Sequence, residues 1–171
     1  MPCKIISSGS VSYTHLRELY KIRPDAQPEA PDLPSMLSKH DAAILIGDNG
    51  MRAEGSGLHI MDLGETWTNW TGLPFVWAMW LGGQDLTTDI ASHLIQAREE
   101  ALANMEPIIR EAEERFGFSE EVTRSYLTKT MTYDFDARHE AALRVFGEFA
   151  LAHGVITEMC MPEWVEGGLA V

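Results

Sequence analysis

Cysteine is scarce in this chain: Cys3 and Cys160 lie near opposite ends of 171 residues. No spacing suggests a bridge, so two free thiols in a reducing compartment are expected. Positive charge is scarce too. Thirteen Lys and Arg face 26 Asp and Glu, for a net charge of −13. Phosphate backbones need clustered cations, which argues against nucleic acid as a partner and against an anionic membrane surface. Long apolar runs are missing. The longest uncharged stretch, Leu73 to Gly83, is too short to span a bilayer, and the N-terminus holds no apolar core of signal-peptide length. A soluble, cytoplasmic chain is therefore expected. The six histidines are scattered, with no His-Glu-x-x-His, Cys-x-x-Cys or paired-histidine spacing. No metal site is therefore expected. Gly55-Ser56-Gly57 lacks the Lys-Ser or Lys-Thr of a phosphate loop. There is no internal repeat and no low-complexity tract.

What the chain does have is apolar content, 45% of its residues, enough for a real core in one domain of ordinary size. The stretch Asp62 to Gly82, DLGETWTNWTGLPFVWAMWLG, organises it. An Asp-Leu-Gly turn leads into a short tryptophan-bearing helix, which breaks at Thr71-Gly72-Leu73-Pro74. The apolar run Phe75 to Leu81 follows. Bounded by glycines and free of charge, it reads as a strand buried on both faces. Ala42 to Asp48, AAILIGD, reads as a second such strand. Trp67, Trp70, Trp77 and Trp80 are spaced for core packing.

The remaining chain falls into place around these segments. Arg17 to Arg23 reads as the last turns of a helix stopped by Pro24, and Pro24 to Pro31 as an extended link. Asp32 caps a short helix with Pro34 in its first turn. Asn49-Gly50 reads as a turn, and His59 to Leu63 as an edge strand. After Gly82-Gly83 helices dominate. Thr87 or Thr88 caps one whose Ile90, Leu94, Ala97, Ala101, Met105 and Ile108 form an apolar stripe, with a kink at Pro107 and a stop at Gly117. Ser119 caps the next. Asp136 caps a third, with Ala142, Phe146, Phe149 and Ala150 facing inward and Gly154 closing it. The tail after Thr157 reads as irregular.

AAILIGD followed by DLGETW…WTGLPFVWAMW resembles the chorismate dehydratase family of the futalosine route to menaquinone, over residues 17–154. The resemblance implies an α/β fold of the type II periplasmic-binding-protein kind, with two lobes around a cleft and here a helical C-terminal half. It implies three parts: an extraneous or disordered segment at 1–16, a remnant of the second lobe at 17–75, and the C-terminal part of the first lobe at 76–171. Val11 to Leu16 resembles a translated transposon-end adapter, and no family strand matches 1–16. The implied activity is that of a hydro-lyase, converting chorismate to carboxyvinyloxybenzoate and water, with chorismate as the small-molecule substrate and neither a metal nor an organic cofactor. The family's signature Asn, in a turn of the first lobe, has no counterpart here, so no catalytic residue is carried over and an inactive fragment is expected. The alternatives are a non-enzymatic lobe that binds a small acid, or the sister dihydroxynaphthoate synthase. That sister shares DLGE…TGLP but has a less aromatic strand after it.

Five residues are the candidate substrate-binding set. Asp48 and Asn49 follow an apolar strand, and in open α/β sheets ligands sit outside the carboxyl ends of strands; the competing role for Asp48 is to cap the next turn. Thr71, Gly72 and Phe75 flank the expected hinge, with a hydroxyl contact from Thr71 and an apolar cleft wall from Phe75. For these three, helix capping and burial are the stronger competing roles.

Overall fold

The computed structural model describes residues 4–6, 17–53, 57–83, 86–165 and 169–170. The chain divides into two compact units, one built from 1–76 and 138–160, the other from 77–137 and 161–171.

The first unit holds a small parallel sheet in the order β2-β1-β3, made of Lys4–Ile6 (β1), Asp25–Ala26 (β2) and Ala42–Ala43 (β3). Lys4 and Ile5 pair with Asp25 and Ala26, while Ile5 and Ile6 pair with Ala42 and Ala43. The sheet's central strand thus comes from the segment expected to be extraneous. Val11 to Leu16 lie outside the described residues.

Helix α1, Leu33–Lys39, forms as its sequence dictates. Asp32 caps it by accepting from the Ser35 amide at 3.2 Å, Pro34 sits in the first turn, and Met36 is buried. β3 is then two residues long, where a strand from Ala42 to Asp48 was expected. The chain leaves the ladder at Ile44, Ile46 is 79% exposed, and Gly47 turns at φ 58°. Asp48 to Ala53 is helix α2, so Asn49-Gly50 lies inside a helix and not in a turn. The edge strand expected at His59–Leu63 is also absent: 59–62 is irregular and Leu63 opens a helix.

That helix, α3, runs from Leu63 to Thr71. Its N-terminus is secured by Asp62, whose carboxylate accepts from the Glu65 amide at 2.9 Å. Its end is a left-handed Gly72 at φ 71°, a conformation that favours glycine. The last helix of this unit belongs to Ala137–Ala152; Ala142 and Ala150 are buried and Gly154 turns the chain away at φ 67°. This is the inward face expected from the sequence.

The run expected as a buried strand, Phe75 to Leu81, starts in the first unit and continues into the second; it forms no regular strand and has a single bridge at Leu81. Trp77 is 54% and Trp80 70% exposed. An apolar run becomes a buried strand only where ladders and covering helices meet it, and among the described residues this run joins no ladder beyond that bridge. Helix α4, Thr88–Ala103, is capped by Thr87 through the Ile90 amide. It stops at Asn104, and Met105–Phe116 is a separate helix, α5. Pro107 therefore sits in a first turn, where its missing N–H costs no bond, in place of the expected kink. The buried residues are Ala91 and Ile109, one position along from the expected stripe, while Ile90 and Ile108 are exposed. Gly117 closes α5 at φ 70°. Ser119 caps α6, Glu120–Ser125, which runs into a π-helical turn, Tyr126–Thr130. Arg124 ties α6 back to α5 by pairing with Glu106, whose carboxyl it holds below its ordinary range. With Ala137–Ala152 as α7, the tail follows. It is not irregular throughout, since Trp164–Val165 (β4) and Leu169–Ala170 (β5) pair antiparallel.

Candidate functional site

Trp67 anchors the first unit. It is 1% exposed, and its indole meets four rings edge-on: Trp70 at 6.0 Å, Phe75 at 5.8 Å, Phe146 at 5.9 Å and Phe149 at 6.3 Å between centroids. Trp70 stacks on Phe149 at 4.9 Å and 11°. The polar tip of Trp67 is satisfied as well, because its Nε1 donates to the Pro74 carbonyl at 3.1 Å. The sequence thus brings an aromatic from α3, one from the following loop and two from α7 to a single point.

Three of the five candidate site residues belong to this cluster. The Thr71 hydroxyl donates to the Trp67 carbonyl at 2.9 Å and accepts from the Leu73 amide at 3.1 Å. The Gly72 carbonyl accepts from Arg138 at 2.8 Å. Phe75 packs on Trp67 and Phe146. Each one shapes the exit from α3 and fixes the loop that follows.

Asp48 and Asn49 stand elsewhere in the unit, both exposed on the first turn of α2. Asn49 lines a cavity of about 290 Å³ with Pro31, Asp32, Leu45, Arg52 and neighbours; Thr71, Gly72 and Phe75 are not among its walls. Asn49 offers both a donor and an acceptor, and Arg52 a fork of donors. Arg52 is the wall residue that sequence reading missed. Its signal was its place one turn along α2 from Asp48 and Asn49, which could be read only once α2 was known to be a helix. Asp32 is already engaged as the α1 cap. The far end of α1 is held by Glu29, which bonds Lys39 at 3.2 Å and His40 at 3.5 Å. Hydrogen bonds from Lys39 and then His40 keep the Glu29 carboxyl below its ordinary range. The cavity beside α2 can therefore hold a small polar molecule against an amide, a guanidinium and apolar Leu45. Among the described residues, no group of three or more His, Cys, Asp or Glu side chains is placed to hold a metal ion. No described helix is long and apolar enough to cross a membrane.

The described residues form a helical chain with a small parallel sheet, an aromatic cluster around Trp67 and a cavity beside α2. The chain belongs to the menaquinone biosynthesis family, whose model matches residues 11–152. The match takes in residues 11–16, ahead of the Arg17 at which the likeness was first drawn.

Proposed function

We propose that this chain is built on the chorismate dehydratase plan, within the menaquinone biosynthesis to which its family belongs. The observation that carries the reading is the family match over 11–152 together with the ordered motifs AAILIGD and DLGETW…WTGLPFVWAMW inside it. In this reaction the ring C–H electron pair becomes part of the aromatic system as the ring C–O bond breaks. The proton goes to a base, and the hydroxide leaves as water. Aromatisation makes the step downhill, so the protein needs to hold a diacid, help the hydroxyl depart and receive one proton.

The type II periplasmic-binding-protein plan, with two lobes closing on the substrate, is the arrangement we infer for this chemistry. Asp48 and Asn49 are its substrate contacts on the α2 side, Arg52 adds a cation there, and Thr71, Gly72 and Phe75 hold the hinge-side loop in shape. Polar contacts gain strength in a water-excluded cleft, but Asp48 and Asn49 lie open to solvent. The purified chain should therefore bind chorismate without turning it over. Chorismate added to the 171-residue protein should give saturable binding that weakens at least tenfold in Asn49→Ala, with no product above the uncatalysed rate. Conversion that is lost in Asp48→Ala would place the chemistry in residues read as binding. Absence of chorismate binding would overturn the dehydratase reading, and binding of a naphthoate precursor in its place would favour the sister enzyme.

A further inference from the structure

A second cavity in the first unit, about 220 Å³, is walled by Arg17, Lys21, Arg23 and His153. It reverses the sign of the molecule around it. The chain as a whole carries −13, while these walls bring three permanent cations and an imidazole to one small space. The Glu18 carboxylate accompanies them. It lies 2.6 Å from His153 Nε2 and 3.4 Å from Lys21 Nζ, so it bridges two of the walls.

The backbone that gathers these side chains is strained. Lys21 sits at φ 53°, the sole non-glycine residue at positive φ among the described residues. A left-handed conformation is costly for a residue that bears a side chain, and such outliers gather where a site needs an unusual chain path. Here it ends the helical turn at Arg17–Glu18 and sends the chain into the link through Arg23 and the buried Pro24. Arg17 and Arg23 thereby wall one cavity from either side of the reversal. His153 completes the wall from just beyond α7, where its amide donates to the Phe149 carbonyl at 3.0 Å.

We propose that this cavity is a binding site for a small multivalent oxyanion, a phosphate or a short dicarboxylate. Guanidinium forks match both groups in geometry. Its volume lies below the roughly 300–1,000 Å³ of pockets for drug-sized ligands, so a nucleotide is too large. The site is separate from Asn49 and Arg52 and does not rest on the dehydratase reading.

The test is calorimetric titration of the full chain with inorganic phosphate and, separately, with malonate, against chloride at matched ionic strength. Saturable binding of either oxyanion and none of chloride is expected, and preference between the two assigns the ligand class. Affinity should fall at least tenfold in Arg23→Gln and in Lys21→Gly. The glycine variant suits the left-handed backbone, so its loss of binding would not stem from misfolding, which a retained thermal transition verifies. Arg115→Gln, on α5, should bind as the parent does. Binding that is not saturable, or that survives both Lys21→Gly and Arg23→Gln, would overturn the proposal.

Discussion

At the scale of single residues, Trp67 does more than any other side chain to hold the first unit together. It is the largest fully buried side chain among the described residues. Truncating a buried aromatic to alanine costs about 3–5 kcal/mol, against total stabilities of about 5–15 kcal/mol. Trp67→Ala should therefore lose most of its cooperative thermal transition. Trp67→Phe keeps a ring among its four neighbours but strips the Pro74 carbonyl of its donor, at about 1–3 kcal/mol, and a urea titration should show the intermediate midpoint. Glu18 gives a second prediction at this scale. The hydrogen bond from His153, and secondarily Lys21, holds its carboxyl below the ordinary glutamate range, against a smaller opposing effect of burial. A folded-state value lower than the unfolded one adds stability that is complete above the unfolded value and disappears as pH falls through the folded one. The pair is partly exposed, with side chains 19% and 25% accessible, so the gain is about 0.5 kcal/mol. Glu18→Gln should melt about 1–2 °C below the parent at neutral pH, and the two curves should converge once the carboxyl is protonated in acid.

Among the elements, local signals were legible where a cap or a glycine set them. Asp32, Asp62, Thr87 and Ser119 each accept from a backbone amide of the helix they open, and Gly72, Gly117 and Gly154 take the left-handed turns that end helices. Asp62→Ala should cost about 0.5–2 kcal/mol, seen as a lower denaturation midpoint with an unchanged slope, since the surface exposed on unfolding stays the same. The misreadings share one cause. Apolar runs such as Ile44–Ile46 and Val76–Leu81 look like buried strands, but strand formation depends on partners from elsewhere in the chain. The Asn104 break was equally hidden, because the apolar spacing continues across it from Ala101 to Met105. The candidate site was legible only in part. Asn49 does line a cavity, whereas Thr71 and Gly72 serve the backbone of the α3 exit, the competing role their place at a helix end had suggested. The cationic cavity could not be read at all, since it needs the left-handed turn at Lys21 and the arrival of His153 from the far end of the sequence.

For the molecule as a whole, what matters is how much the three-residue strand β1 contributes. The first unit's sheet has two flanking strands of two residues each, and both pair with β1 and not with each other. β1 was expected to contribute nothing, since it lies in the segment 1–16 read as extraneous or disordered. Yet Ile5 alone pairs with Ala26 on one side and Ala42 on the other. Proline there cannot donate to a ladder and fits poorly in a central strand. Ile5→Pro should therefore leave a ladder carbonyl without its donor, at about 1–3 kcal/mol, a fall of about 2–12 °C in the thermal midpoint for a chain of this size. Deleting residues 1–16 removes the strand outright, leaving β2 and β3 without their shared neighbour, and should lower the midpoint at least as far. Ile5→Val, which keeps a β-branched residue at the same register, should melt within about 1–2 °C of the parent. If Ile5→Pro and the deletion both melt with the parent, β1 adds no stability, and the first unit is held by the Trp67 cluster alone.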